Sequence, residues 1–268
     1  HHVVQAVGLE RLAQAADVHV HGALLDVDVA APDMVEQLGA QTLLDRLFPG
    51  MEVPPVEGYN YALQFDCDNL PVDPTQFLNS VSELKRHLLG GPLDRAFDAL
   101  LANQSENLPR VAIEYRKTES MYICPTSSKV VVIFLVDFND VTDKALARVF
   151  LQEFVEAQRA VRTAPPVNYS KEPPGELAGL PTAFKADTAG YISFALEERH
   201  VSGNGKEKAI SLLTGFRNYL HYHIKCSKTY LHMRMRKRVA GWMLVLNRAV
   251  PEVETEKKTS SGKTFSRK

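Results

Sequence analysis

The residues closest to a known chemical motif lie near the end of the chain, where Ser261-Gly262-Lys263-Thr264 resembles the end of a phosphate-binding P-loop. That motif needs another glycine five positions before Gly262, and Lys257 stands there. No strand is predicted before the segment and no helix after it, so a cradle of backbone amides is not expected. The pattern favours a basic, Ser/Thr-rich tail over a nucleotide site.

Possible metal ligands crowd one stretch of the chain, at His221, His223, Cys226 and His232. His223 and Cys226 would share one helical face, but two ligands do not make a structural zinc site. Buried, hydrogen-bonded histidines explain this cluster more simply. We expect no metal ion and no cofactor.

Alternating acids could in principle perform acid–base chemistry, as at Asp26 and Asp28 or at Asp66 and Asp68. Solvent-facing positions of two strands account for them more simply. The sequence has no GxSxG, HExxH or dinucleotide-binding motif. We therefore predict that the protein is not an enzyme.

Composition is that of a soluble globular protein, with 45% hydrophobic and 24% charged residues in 268. The three cysteines are far apart, which favours a reducing compartment over a disulfide framework. No apolar run approaches the roughly 18 residues of a membrane span. We expect a cytoplasmic protein that does not enter a membrane.

Charge is distributed unevenly along the chain, although the formal net charge is only -1. Residues 1–110 hold 6 Lys and Arg against 16 Asp and Glu, whereas residues 215–268 hold 13 against 3. The basic end should attract an acidic partner.

Hydrophobic periodicity predicts strands and helices in the same order twice. The predicted strands cover 17–30, 59–66, 111–115, 120–124, 129–138 and 190–196. The predicted helices cover 33–48, 74–103, 141–161 and about 206–249. Gly90-Gly91-Pro92 interrupts the second, which should be in two pieces or bent. Pro-Pro-Val also follows the first helix of each half, at 54–56 and 165–167. We predict an α+β fold with two related domains, each an antiparallel sheet backed by helices, at 1–108 and 109–250, followed by a basic tail at 251–268.

The predicted terminal helix would be roughly 65 Å long, more than the width of a small domain. It carries an apolar stripe at steps of 7 and 4 residues. The stripe consists of Leu213, Leu220, Ile224, Leu231, Met235, Trp242 and Leu246. Its own domain can cover only part of such a helix, so the rest should pack against a partner. Basic residues lie beside the stripe, and no acid occurs between Glu207 and Glu252.

Several segments resemble the subunit 2 family of the actin-related protein 2/3 complex. They are FRNYLHYHIKCSKTYLHMRMR, VLNRA, SGKTFS, ESMYI, VFLQEF, RTAPPV, EPPGEL, GYISF and, more loosely, GYNYALQFDCDNLP and ELKR. The resemblance covers roughly residues 33–268. The chain departs from the family pattern before VLNRA, where it has Trp242-Met243-Leu244 instead of a polar residue.

This resemblance implies a non-catalytic scaffold subunit of a complex that nucleates branched actin filaments in the actin cytoskeleton. It implies a core heterodimer with subunit 4, formed through long C-terminal helices, and contact with the mother filament. The apolar stripe would then be the subunit-interface and core seam. Basic residues off the stripe are the candidates for actin contact, namely Lys228, Arg234, Arg236, Lys237 and Arg238.

The alternative is a nucleic-acid-binding module that uses the basic helix, because Tyr219, Tyr222 and Tyr230 interleave with basic residues. The acidic first half would repel phosphates, and the apolar stripe would have no role. We therefore expect protein partners and no nucleic acid.

Overall fold

The structure of the chain is a computed structural model. It describes residues 17–21, 24–29, 39–54, 61–66, 73–116, 118–161, 163–180, 187–249, 257–258 and 264–265. The start of the helix predicted at 33–48 and the side chains of Asp26, Asp28 and Asp68 lie outside the described part, as do residues 261–263.

The first half contains a four-stranded antiparallel sheet in the order β1-β2-β4-β3. The strands are β1 (Asp17–His21), β2 (Leu24–Val29), β3 (Glu52–Val53) and β4 (Tyr61–Asp66). In β4, Tyr61, Leu63 and Phe65 are buried, as the alternation at 59–66 predicts for the residues described. Helix α1 (Ala40–Leu47) packs beside this sheet through Ala40 and Leu44.

Two helices follow, α2 (Pro74–Ser82) and α3 (Leu84–Leu101). Asp73 caps α2 by accepting hydrogen bonds from the backbone of Thr75 and Gln76. The predicted helix is in two pieces, but the break lies at Glu83, so its predicted position at Gly90-Gly91-Pro92 is wrong. Those three residues lie inside α3 and are buried.

The glycines of α3 permit close packing on both sides of the helix. A Cβ on Gly91 would lie 2.5 Å from the Cα of Ala40 in α1, and a Cβ on Gly90 would lie 2.9 Å from Cγ2 of Ile210. Tertiary contact therefore accounts for this glycine pair, which resembles a helix break in the sequence.

Gly91→Ala should destabilise the protein, because the nearest obstacle is backbone and cannot move aside cheaply. Overpacking costs about 1–3 kcal/mol, which should exceed the gain of about 1 kcal/mol in helix propensity. Gly241→Ala is the matched control, since no described atom lies within 4 Å of its Cβ position. Urea unfolding should show a lower midpoint for Gly91→Ala alone, and equal midpoints would contradict the packing argument.

The second half contains a five-stranded antiparallel sheet in the order β5-β6-β7-β9-β8. Its strands are β5 (Val111–Arg116), β6 (Glu119–Pro125), β7 (Lys129–Val136), β8 (Val167–Ser170) and β9 (Gly190–Glu197). The first three form the predicted meander. Helix α4 (Val141–Ala160) follows β7, with Asp140 as its N-cap.

The two sheets share one pattern of connection, which confirms the predicted α+β class with antiparallel sheets. A strand (β2 or β7) leads through a helix (α1 or α4) to a short edge strand, and the next strand inserts between the two. The Pro-Pro-Val at 165–167 leads into β8, whereas residues 55 and 56 of the first Pro-Pro-Val lie outside the described residues. The two sheets are therefore alike in the order and connection of their strands and helices.

Helix α3 contributes to the cores of both sheets. Leu84 and Leu88 belong to the core of the first sheet, whereas Leu93, Phe97 and Leu100 belong to the core of the second. The helix thus joins the two halves by shared burial. The domain boundary between residues 108 and 109 stays a prediction.

The chain continues through α5 (Glu198–Val201) into α6 (Gly205–Ala249), a helix of 45 residues. These bounds confirm the predicted terminal helix. In the tail, β10 (Lys257–Lys258) pairs antiparallel with β11 (Thr264–Phe265). Within the described residues, every helix is too short or too polar to cross a bilayer.

Candidate protein interaction surface

The first part of α6 is anchored in the core of the second sheet. Its buried side chains are Ile210, Leu213, Phe216, Leu220 and Ile224. The ring of Phe216 lies 5.0 Å from that of Phe134 and 5.1 Å from that of Phe194, between centroids. This burial fixes the direction in which the rest of the helix extends.

A buried carboxylate adds a polar anchor to the same part of α6. Glu119 of β6 is 4% exposed, accepts a hydrogen bond from Nε of Arg217, and lies 2.8 Å from Nε2 of His221. Burial alone would raise the pKa of Glu119, but the hydrogen bonds from His221 and Arg217 hold it below the ordinary value. The ionised carboxylate thus fastens α6 to the sheet.

The role of Glu119 is not predictable from sequence, because one acid at the start of a strand is also typical of a solvent-facing position. The packing of His221 supports the same anchor, since its ring stacks on Phe138 with 4.3 Å between centroids.

The other members of the histidine and cysteine cluster are separated. His223 packs its ring near those of Phe150 and Tyr219, whereas Cys226 and His232 are exposed. Across the described residues, no three His, Cys, Asp or Glu side chains come together in a way that could hold a metal ion.

Lys228 is the last residue of α6 that forms an ion pair among the described residues. Its Nζ lies 3.0 Å from Asp140 and 2.8 Å from Asp143, at the start of α4. Hydrogen bonds to Asp143 and Asp140 raise the pKa of Lys228. Among the five basic candidates, Lys228 therefore has its charge paired within the chain.

Beyond Lys228 the helix leaves the folded core. Every residue from 231 to 249 is exposed. The exposed large apolar side chains of this segment include Leu231, Met233, Met235, Val239, Trp242, Met243, Leu244, Val245 and Leu246. We call residues 231–249 the distal segment of α6.

The structure divides the predicted stripe at this point. Leu213, Leu220 and Ile224 are buried within the chain. Leu231, Met235, Trp242 and Leu246 continue the same face into solvent, with Trp242 69% exposed. An apolar surface of this extent, unpaired in one chain, is typical of a protein–protein interface.

The remaining basic candidates all lie on the distal segment. Arg234, Arg236, Lys237 and Arg238 are exposed, and no described carboxylate lies within ion-pair distance of them. Arg234 lies over the ring of Tyr230, 5.6 Å from its centroid. The distal segment therefore combines exposed apolar side chains with unpaired positive charge.

Comparison with known proteins gives one consistent result. Residues 25–253 match the protein family described as "Arp2/3 complex, 34 kD subunit p34-Arc". A Schizosaccharomyces pombe protein named "Actin-related protein 2/3 complex subunit 2" is 39% identical over 258 residues, covering 88% of this chain and 81% of that protein. A Dictyostelium discoideum protein of the same name is 37% identical over 242 residues, with coverage of 88% and 80%.

Proposed function

The chain belongs to the p34-Arc family of Arp2/3 complex subunits, and from that premise we propose that it is a non-catalytic scaffold that pairs with subunit 4 and contacts the mother filament. As a subunit of this complex it is a component of the cytoskeleton. We place it in the cytoplasm, where the complex would nucleate branched actin filaments.

The observation that carries the scaffold proposal is the exposure of the distal segment. Assembly would stabilise this helix, because burying its exposed apolar face against a partner contributes about 25 cal/mol per Å² of apolar surface. Leu231, Met235, Trp242 and Leu246 would form the part of the seam that meets subunit 4. Leu213, Leu220 and Ile224 would hold the same helix to its own domain.

The positive charge of the distal segment supports the proposed contact with the filament. Actin filaments are acidic, and Arg234, Arg236, Lys237 and Arg238 present positive charge that no described acid of this chain neutralises. Lys228 remains in the proposed contact set, but its pairing with Asp140 and Asp143 would have to be shared or broken there. The four residues beyond it would therefore provide most of the attraction.

Retention of the complex on filamentous actin and on duplex DNA at matched salt separates this function from nucleic-acid binding. The exposed Tyr219, Tyr222 and Tyr230 are the features that a nucleic acid could stack against. We expect retention on filaments, falling as salt rises, and little retention on DNA at about 0.1 M salt, where the Debye length is about 10 Å. Stronger retention on DNA would contradict the proposal.

A further inference from the structure

Helix α3 passes from the core of the first sheet into that of the second, and Gly90-Gly91-Pro92 stands where it crosses over. Glycine and proline are the two residues least favourable inside a helix. Pro92 has no amide hydrogen, so the helical hydrogen bond to the carbonyl of Leu88 cannot form. We call residues 88–92 the hinge segment. Tertiary contacts, and not its own sequence, hold this segment helical.

A buried carboxylate forms an ion pair across the hinge segment. Arg46 lies in the last turn of α1, in the first half, and its Nη2 is 3.0 Å from Oδ2 of Asp94, which follows the hinge segment. Asp94 is 6% exposed, and its Oδ1 lies 2.7 Å from Nζ of Lys206 at the start of α6. A carboxylate at this depth needs such partners to stay charged. Asp94 thus ties α1 of the first half to α6 of the second.

The remaining contacts across the hinge segment restrain it less. Its glycines admit α1 and α6 closely, but they contribute no side chain that could hold either helix. Arg86, before the hinge segment, donates a hydrogen bond to Ser211 and lies 3.6 Å from Glu207, whose side chain is 69% exposed. Exposed pairs of this kind add little. Among the described residues, the pair of Arg46 with Asp94 is therefore the strongest directional contact across the hinge segment.

We propose that α3 is a latched hinge, in which Asp94 holds the first half at one orientation to the second. Loss of its pair with Arg46 lets the two halves rotate about residues 88–92. In such hinges a few residues absorb the backbone change while the packed units on either side move as rigid bodies. The side chain of Arg46 is 57% exposed, so the latch can be reached from solvent. Rotation would move the first half relative to α6, and hence relative to whatever α6 binds.

Distances between two spin labels, measured by double electron–electron resonance in the full chain, report this rotation. Thr42→Cys on α1 and Gln152→Cys on α4 place the labels at exposed positions in the two halves. Cys67→Ser and Cys226→Ser remove competing thiols, and Cys124 is buried. With the latch closed, the labels should give one narrow distance distribution.

Asp94→Asn keeps the shape of the side chain but removes the charge that binds Arg46, so the distance distribution should broaden about twofold or more. Arg46→Gln breaks the same pair from its exposed end and should give the same broadening. Asp98→Asn is the matched control, because Asp98 pairs with Lys206 but with no described group of α1. This control should leave the distribution narrow.

Pro92→Ala tests whether the motion lies in α3. Alanine restores the amide that can bond to the carbonyl of Leu88, and it favours the helix. Added to Asp94→Asn, it should return the distribution to the wild-type width. A distribution that stays broad in this double variant would contradict the position of the hinge.

A distribution as narrow in Asp94→Asn and Arg46→Gln as in the wild type would overturn the latch, and so would one that is already broad in the wild type. Equal broadening by Asp98→Asn would also overturn it, because general weakening of the fold would then be responsible. Circular dichroism first shows that each variant is folded. If Asp94→Asn does not fold, Arg46→Gln decides by itself. This hinge is a property of the chain alone, so none of these results bears on the scaffold proposal.

Discussion

Leu231→Asp is expected to separate this chain from subunit 4 without unfolding it. In the isolated chain Leu231 is 39% exposed, at the point where α6 leaves its own core, so a carboxylate there stays hydrated. In the seam the same carboxylate would be buried without a partner, which costs several kcal/mol. A penalty of about 3 kcal/mol corresponds to roughly a hundredfold loss of affinity.

Co-expression followed by size-exclusion chromatography measures this effect. Val149→Asp is the matched control, because Val149 is also an exposed aliphatic side chain, 62% exposed, but lies on α4. Both isolated variants should melt at the temperature of the wild type, whereas only Leu231→Asp should elute apart from the partner. A normally assembled complex containing Leu231→Asp would refute the seam.

Simultaneous reversal of three charges, Arg234→Glu, Arg236→Glu and Arg238→Glu, should weaken co-sedimentation of the assembled complex with actin filaments. The reversed side chains would repel an acidic filament at the place where the wild type attracts it. We expect a loss of about tenfold or more at low salt, shrinking towards 1 M salt, where the Debye length is about 3 Å.

The control for this experiment changes the net charge equally at other exposed sites, through Arg159→Glu, Lys171→Glu and Arg199→Glu. Intact assembly of both triple variants is confirmed first by chromatography. Filament binding that is unchanged at low salt in the Arg234, Arg236 and Arg238 variant would refute the assignment of the basic residues. An equal loss in both variants would show that total charge, and not this surface, governs the interaction.

The terminal helix was predictable from sequence almost to the residue, because few residues interrupt its propensity and periodicity between Gly205 and Ala249. The division of its stripe was not predictable. Steps of 4 and 7 residues look alike before and after Ile224, and only the extent of the five-stranded sheet decides where burial ends. Tertiary structure therefore decides which residues of the stripe are buried within the chain and which remain exposed.

Contacts between residues that are distant in the sequence also explain why other features could not be predicted. Gly90 and Gly91 resemble a helix break because the residues that need their small size, Ile210 and Ala40, are distant in the sequence. The pairing of Lys228 with Asp140 and Asp143 joins residues more than 80 positions apart, so Lys228 looked as free as Arg234. Glu119 was missed for the same reason.

Capture of the tagged chain from its own cells, followed by mass spectrometry of the co-purifying chains, tests whether the chain is a subunit of the assembled complex. If the chain assembles as proposed, the other Arp2/3 complex subunits should be recovered in equal amounts, with subunit 4 lost first when Leu231→Asp is introduced. Recovery of the chain alone, or with a stable set of unrelated proteins, would contradict the proposed role.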